Sequence, residues 1–181
     1  MMPLWEHILA RRTLDCLDYS SMSEPRLALV RDRVSKLIGK VSVPKAMTAQ
    51  HPAIARLVAQ DEARREKQKA ATYSFSWDNP VFDSPFEQRR LRFLNALFLA
   101  VARWGGKPDV RGREARELSI TIHQIRVAVL LDRPPKARGK GTDHAAEGPD
   151  RLRFVILSGY DRDQERASWQ DGEGGRLERF I

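Results

Sequence analysis

The stretch from Ser84 to Gly106 constrains this chain most. It opens with "SPFE", which sets Ser84 at the N-cap, Pro85 at the first helical position and Glu87 three residues after the cap, a capping box with the favoured proline. Phe86, Arg90, Phe93, Leu94, Leu97, Val101 and Trp104 then recur at three- and four-residue spacing, and Gly105–Gly106 supplies a left-handed stop. The spacing predicts a helix with one apolar stripe. Burying Phe93, Leu97 and Val101 on that stripe is worth roughly 1.5 to 3 kcal/mol each, so the rest of the fold has to cover it.

Material to cover it lies on both sides. "TYSFSW" (Thr72 to Trp77) alternates Tyr73, Phe75 and Trp77 with Thr72, Ser74 and Ser76, the pattern of a half-buried strand, and "DNPVFDSP" after it reads as loop. Downstream, Leu118, Ile120 and Ile122 alternate with Ser119 and Thr121, and Ile125, Val127, Val129 and Leu131 with Arg126, Ala128 and Leu130. These two runs predict a hairpin turning near His123–Gln124. Neither residue is the glycine or asparagine that a two-residue turn prefers, which leaves a longer turn or a bulge open. "RLRFVIL" (Arg151 to Leu157) predicts a strand paired with the previous one, and "RASWQDGEGG" a short edge strand leading into loop. In "GGRLERFI", Leu177, Phe180 and Ile181 fall at helix spacing, either as a short helix capping the sheet or as the start of a longer one.

The first 70 residues read as helical. Trp5, Ile8, Leu9 and Cys16 lie near one stripe; Leu27, Val30, Val34, Leu37 and Ile38 follow a Ser23-Glu24-Pro25 start and stop at Gly39. A third helix begins after His51–Pro52 with Ile54, Leu57 and Val58, then loses its stripe in "DEARREKQK" (61–69), a solvated, linker-like end. The expectation is an α+β domain over residues 71–181, preceded by a helical portion over 1–70. Its centre is one long helix packed on a mostly antiparallel sheet of four or five strands.

Composition narrows the function classes. Of 181 residues 41% are hydrophobic, enough for one core, and Arg89, Arg90, Arg92 and Arg103 interrupt the longest helical pattern, which rules it out as a membrane span. The start "MMPLWEHILARR" lacks a basic region ahead of an apolar stretch, so a secretory signal is not expected and the cytoplasm is the expected compartment. Cys16 is the only cysteine, which excludes an internal disulfide and any multi-cysteine zinc site. Net charge is +8, and residues 1–70 carry 13 basic side chains against 8 acidic ones. A polyanionic partner fits that balance, and so does plain solubility.

Two basic stretches could meet phosphates. "RPPKARGKG" (Arg133 to Gly141) holds Arg133, Lys136, Arg138 and Lys140 with no negative charge. If all four met duplex phosphates, affinity would fall roughly 150-fold between 50 and 200 mM salt. The same run also reads as a solvated connector between strands, its charge partly cancelled by Asp143, Glu147 and Asp150, and no aromatic residue interleaves with it to stack bases. The second stretch is the helix bearing Arg26, Arg31, Arg33 and Lys36. Its preceding connection "DYSSMSEP" is longer than the turn of a helix-turn-helix reader.

Catalytic patterns stop short. Asp109 after Pro108 could begin a metal-dependent nuclease set, but no Glu-x-Lys or Asp-x-Lys follows on the strand from Leu118 to Leu131. Asp161, Asp163 and Glu165 alternate as in a calcium loop, yet Arg166 and Gly172 occupy the positions that need glycine and glutamate. His7, His51, His123 and His144 have no ligand partners at metal spacing, and "GKG" (139–141) lacks the strand-loop-helix context of a phosphate loop. No metal, cofactor or catalytic residue is expected. Asp171–Gly172 beside Trp169 reads as a ligand lip or as an edge tryptophan over a tight turn.

The run "VSVPKAMTAQHPAIARLV", the proline-capped helix ending in Trp-Gly-Gly, the hairpin, and the closing pattern of Trp169, Asp171, Gly172, Gly174, Leu177 and Glu178 resemble a group of uncharacterised bacterial proteins. In that group a helix-turn-helix segment precedes such a region. The likeness covers residues 41–181; residues 1–40 do not show the helix-turn-helix, so no functional residue carries over. The expected function is a non-enzymatic regulatory or accessory module associated with nucleic acid, DNA foremost, with no membrane partner. The alternative is a protein-interaction or oligomerisation domain.

Overall fold

A computed structural model describes residues 41–73, 75–122, 124–135, 150–157, 164–172 and 175–179, together with Leu29, Asp32 and Lys36. Helix α1 spans Pro52–Ala70, helix α2 Pro85–Arg103, and strands β1 Lys107–Arg111, β2 Glu117–Ile122, β3 Ile125–Asp132, β4 Arg153–Leu157 and β5 Glu165–Gln170. The strands form one sheet in the order β1-β2-β3-β4-β5, every pair antiparallel. The class is α+β with a five-stranded antiparallel sheet. The expected single long helix is corrected: two helices of 19 residues each stand among the described residues, and Leu29, Asp32 and Lys36 are also helical.

Helix α2 forms as its sequence dictates. Ser84 Oγ accepts from Glu87 N at 3.2 Å, Pro85 opens the first turn, and the whole stripe from Phe86 to Trp104 is buried, Arg90 included. The capping box is only half made, because the Glu87 carboxylate turns to Arg90 Nε (2.7 Å) and Arg116 Nη2 (2.6 Å). Gly105 takes φ +88°, the left-handed stop, and a Cβ on Gly106 would lie 2.5 Å from Val101 Cγ1, so the chain turns into β1 only with glycine there.

Against this helix the sheet sets Val110 of β1, Leu118, Ile120 and Ile122 of β2, Val127, Val129 and Leu131 of β3, and Phe154 and Ile156 of β4, all buried. The register pairs Leu118 with Val129, Ile120 with Val127 and Ile122 with Ile125, so the expected hairpin forms, with only positions 123 and 124 between its strands. Trp169 closes the core from edge strand β5, with Phe154 at 6.2 Å between ring centroids. The core also takes in Ile54 and Leu57 of α1, with Val41, Val43 and Met47 packed against it, so it reaches well back into the N-terminal portion. Beyond Asp61 the rest of α1 is solvated, as its lost stripe implies.

Two strand assignments change. The described residues of 72–77 form no strand: Ser76–Asp78 is a 3₁₀ turn, and Tyr73, Phe75 and Trp77 are 81%, 55% and 61% exposed. The buried Asp61 carboxylate instead organises the following segment by accepting from Val81 N (2.7 Å) and Phe82 N (3.3 Å), which leads the chain straight into α2. The fifth strand is β1, where Pro108 is tolerated because the strand lies at the sheet edge and a missing N–H there costs no ladder bond. At the end of the chain Leu177–Arg179 forms a short 3₁₀ turn with Leu177 fully buried.

Candidate functional site

Arginine dominates the polar chemistry of this fold, and its guanidinium groups fall into two kinds of environment. Arg89, on α2, is buried. It donates Nε to Glu178 Oε1 at 2.7 Å, Nη2 to Glu178 Oε2 at 2.6 Å and to Asp171 Oδ1 at 3.0 Å, and Nη1 to Asp171 Oδ2 and to the Asp150 carbonyl. Asp171 also accepts from Leu152 N (2.8 Å) and Leu177 N (2.6 Å). Burial works to raise the pKa of both carboxyls, and hydrogen bonds from Arg89, joined by the Leu152 and Leu177 amides at Asp171 and by its own amide at Glu178, overcome it and hold both below their ordinary values. Gly172 and Gly175 exchange backbone hydrogen bonds at the turn that joins the two acids. The closing pattern of Trp169, Asp171, Gly172, Leu177 and Glu178 is therefore a clamp whose two acids hold this segment to α2, each of their carboxylate oxygens accepting a bond.

Arg90 makes a second saturated centre. Fully buried, it binds Glu87 and donates Nη1 to the Ala115 carbonyl at 2.8 Å and Nη2 to the Glu114 carbonyl, while burial lowers its pKa. The loop between β1 and β2, with Gly112 at φ +76° and the buried Ala115 at φ +53°, is thereby bolted to the core. This fixes the position of Arg113.

The other environment is open. Between α1 and the β1–β2 loop lies a cleft of about 370 Å³ where Arg56, Gln60, Arg111 and Arg113 surround a floor of Leu57 and Val110. Arg56 Nη2 donates to the Val110 carbonyl at 3.4 Å, and Arg113 Nη2 to the Ser76 and Asn79 carbonyls at 3.1 and 3.0 Å. These acceptors are neutral, so they orient the two guanidinium groups without cancelling their charge; of the three arginines, Arg111 alone pairs with a carboxylate among the described residues, Asp109 at 3.0 Å on the surface. Through Ser76, Arg113 also ties the cleft to the exposed turn, where the Phe75 and Trp77 rings stack with centroids 4.6 Å apart and planes 4° from parallel. Two smaller clefts occur among the described residues, about 190 Å³ beside Arg92 and Arg176 and about 200 Å³ beneath residues 41–49; no aromatic residue lines any of the three.

Of the basic residues expected to meet phosphates, Arg133 lies over the Phe86 ring at 4.5 Å from its centroid, with its own amide donating to Asp132 Oδ1 at 2.8 Å. Lys36 is exposed. Arg26, Arg31, Arg33, Lys136, Arg138 and Lys140 lie outside the described residues, as do Cys16 and His123. His51 caps α1, its Nδ1 accepting from Ala53 N at 3.2 Å and its ring edge-on to Phe98, and burial lowers its pKa. Asp109 is engaged by Arg111. No group of three histidine, cysteine or acidic side chains close enough to hold a metal ion occurs among the described residues.

Sequence reasoning missed Arg56, Arg111 and Arg113. They are separated by up to 57 positions and meet only because α1 packs beside β1; no local spacing announces them. No local signal in the sequence marks the exposure of Phe75 and Trp77 either, which follows from the 3₁₀ turn at Ser76–Asp78. Comparison with protein-family models, with curated proteins and with solved structures finds no match to the chain.

Proposed function

We propose that this protein is a non-enzymatic accessory or regulatory module that associates with nucleic acid in the cytoplasm, and that the cleft between α1 and β1 receives the phosphates. The observation that carries this reading is the pair Arg56 and Arg113, oriented by carbonyl oxygens and left with uncancelled charge at an open cleft. Phosphate oxygens are strong acceptors for the charge-assisted N–H groups that remain, Nε and Nη1 on Arg113 and Arg56. The net charge of +8 supplies the longer-range attraction, to which Arg26, Arg31, Arg33 and Lys36 and the run Arg133, Lys136, Arg138 and Lys140 contribute. No helix among the described residues is long and apolar enough to cross a membrane.

The test is anisotropy of labelled oligonucleotides against the full chain from about 50 to 200 mM salt. Three phosphates met by the cleft on a single strand give a salt slope contribution of about −2, a loss of ~20-fold over that range. Absence of binding at 50 mM to DNA or RNA refutes the reading. A second reading, a protein-interaction or oligomerisation domain, draws on the exposure of Tyr73, Phe75 and Trp77. A dimer in light scattering that disappears with Trp77→Ala, together with no oligonucleotide binding, selects it.

A further inference from the structure

We infer that the ligand is single-stranded, with a base stacked on the Phe75–Trp77 pair and the neighbouring phosphates held by Arg113, Arg56 and Arg111. The inference rests on the nucleic-acid reading above and adds the strandedness and the division of labour.

The argument starts from the rings. Phe75 and Trp77 are already parallel at 4.6 Å, so each has one face covered by the other and one face turned away, and more than half of each residue is in water. The faces turned away leave a contiguous apolar surface in water, the kind of patch that marks a binding site. The turn does not drift: Asp78 N bonds the Phe75 carbonyl at 2.9 Å, and Arg113 grips the Ser76 and Asn79 carbonyls from the other side. Arg113 is anchored in turn by the loop that buried Arg90 bolts to α2. A chain of contacts therefore runs from the core to an aromatic platform next to Arg113, whose acceptors among the described residues are neutral carbonyls.

That pairing of features selects the occupant. Bases within a duplex have both faces covered by their neighbours and offer a protein surface only groove edges and phosphates, whereas a single strand presents π-faces and phosphates together. An acidic peptide would satisfy the arginines and leave the platform uncovered. Arg113 links the two features, since it lines the cleft and donates to the carbonyl of Ser76, the residue between the two rings.

The experiment compares a labelled single strand of twelve thymidines with a duplex of thymidine and adenosine of the same length, using the full chain and the variants Trp77→Ala and Trp77→Phe. The ring is exposed, so neither substitution opens a cavity. We expect tighter binding of the single strand, a loss of roughly 5- to 100-fold for it with Trp77→Ala, recovery of most of that loss with Trp77→Phe, and little change for the duplex. Equal binding of both forms, or single-strand affinity untouched by Trp77→Ala, overturns the inference while nucleic-acid association stands. Binding of neither form overturns both.

Discussion

The clamp around Arg89 and the cleft around Arg56 and Arg113 use the same side chain for opposite ends. At the clamp, one guanidinium meets two carboxylates, is about 10% exposed, and shares the Asp171 carboxylate with the Leu152 and Leu177 amides. At the cleft, the guanidinium groups lie at the surface and meet carbonyl oxygens. The difference teaches what an arginine in this fold is for. An ion pair surrounded by further hydrogen bonds has its charge answered within the chain and secures architecture; a guanidinium oriented by neutral acceptors keeps its charge for something outside.

The comparison can be broken most forcefully at the clamp. Removing one partner of a buried ion pair leaves the other charge stranded, so Asp171→Ala should destabilise the fold by about 3 to 5 kcal/mol, measured by urea denaturation. An effect within about 0.5 kcal/mol, the range of ordinary surface substitutions, would mean that the clamp is ornamental. Acid sharpens the same contrast. The Asp171 and Glu178 carboxyls sit below their ordinary values of 3.8 and 4.5, so their stabilisation is complete above that range and is lost as pH falls through the lower values of the folded state. His51 acts earlier: its folded pKa lies below the ordinary 6.5, so the unfolded chain binds the proton first and stability begins to fall as pH drops below that point. Replacing His51 with Asn, which also caps helices, should remove that first step from a thermal-melt pH profile and leave the acid step in place.

Smaller in stability is Ser84→Ala, about 1 kcal/mol, because the cap bonds one amide at the entry to α2 and Glu87 is committed to arginines. Smallest is the cleft. Arg111→Ala should change stability by no more than about 0.5 kcal/mol, since its single ion pair with Asp109 is exposed. It should nonetheless weaken oligonucleotide binding and reduce the single-strand salt slope by about 0.7, the share of one phosphate.

Much of the fold was legible in the sequence, and the part that was not has a common cause. Helix α2 and the β2–β3 hairpin announce themselves because the periods of 3.6 and 2 run for many residues with one face apolar. The alternation at Tyr73, Phe75 and Trp77 has the same period but no partner strand, and local pattern cannot report the lack of a partner. Strand β1 is hidden the other way round: Pro108 and Asp109 argue against a strand, and its place beside β2 is decided by Val110 entering the core. The closing pattern with Asp171 and Glu178 was visible as a motif, yet its meaning depends on Arg89, some 80 positions earlier. The cleft was invisible because it is a product of packing α1 beside β1.

The most direct measurement is the salt dependence of single-strand binding by the full chain and by the triple variant Arg56→Ala, Arg111→Ala and Arg113→Ala. If the cleft takes the phosphates, the variant keeps its fold by circular dichroism and the slope of log affinity against log salt becomes shallower by about 2. An unchanged slope and affinity in a folded triple variant would contradict the account and send the charge +8 back to the solvent.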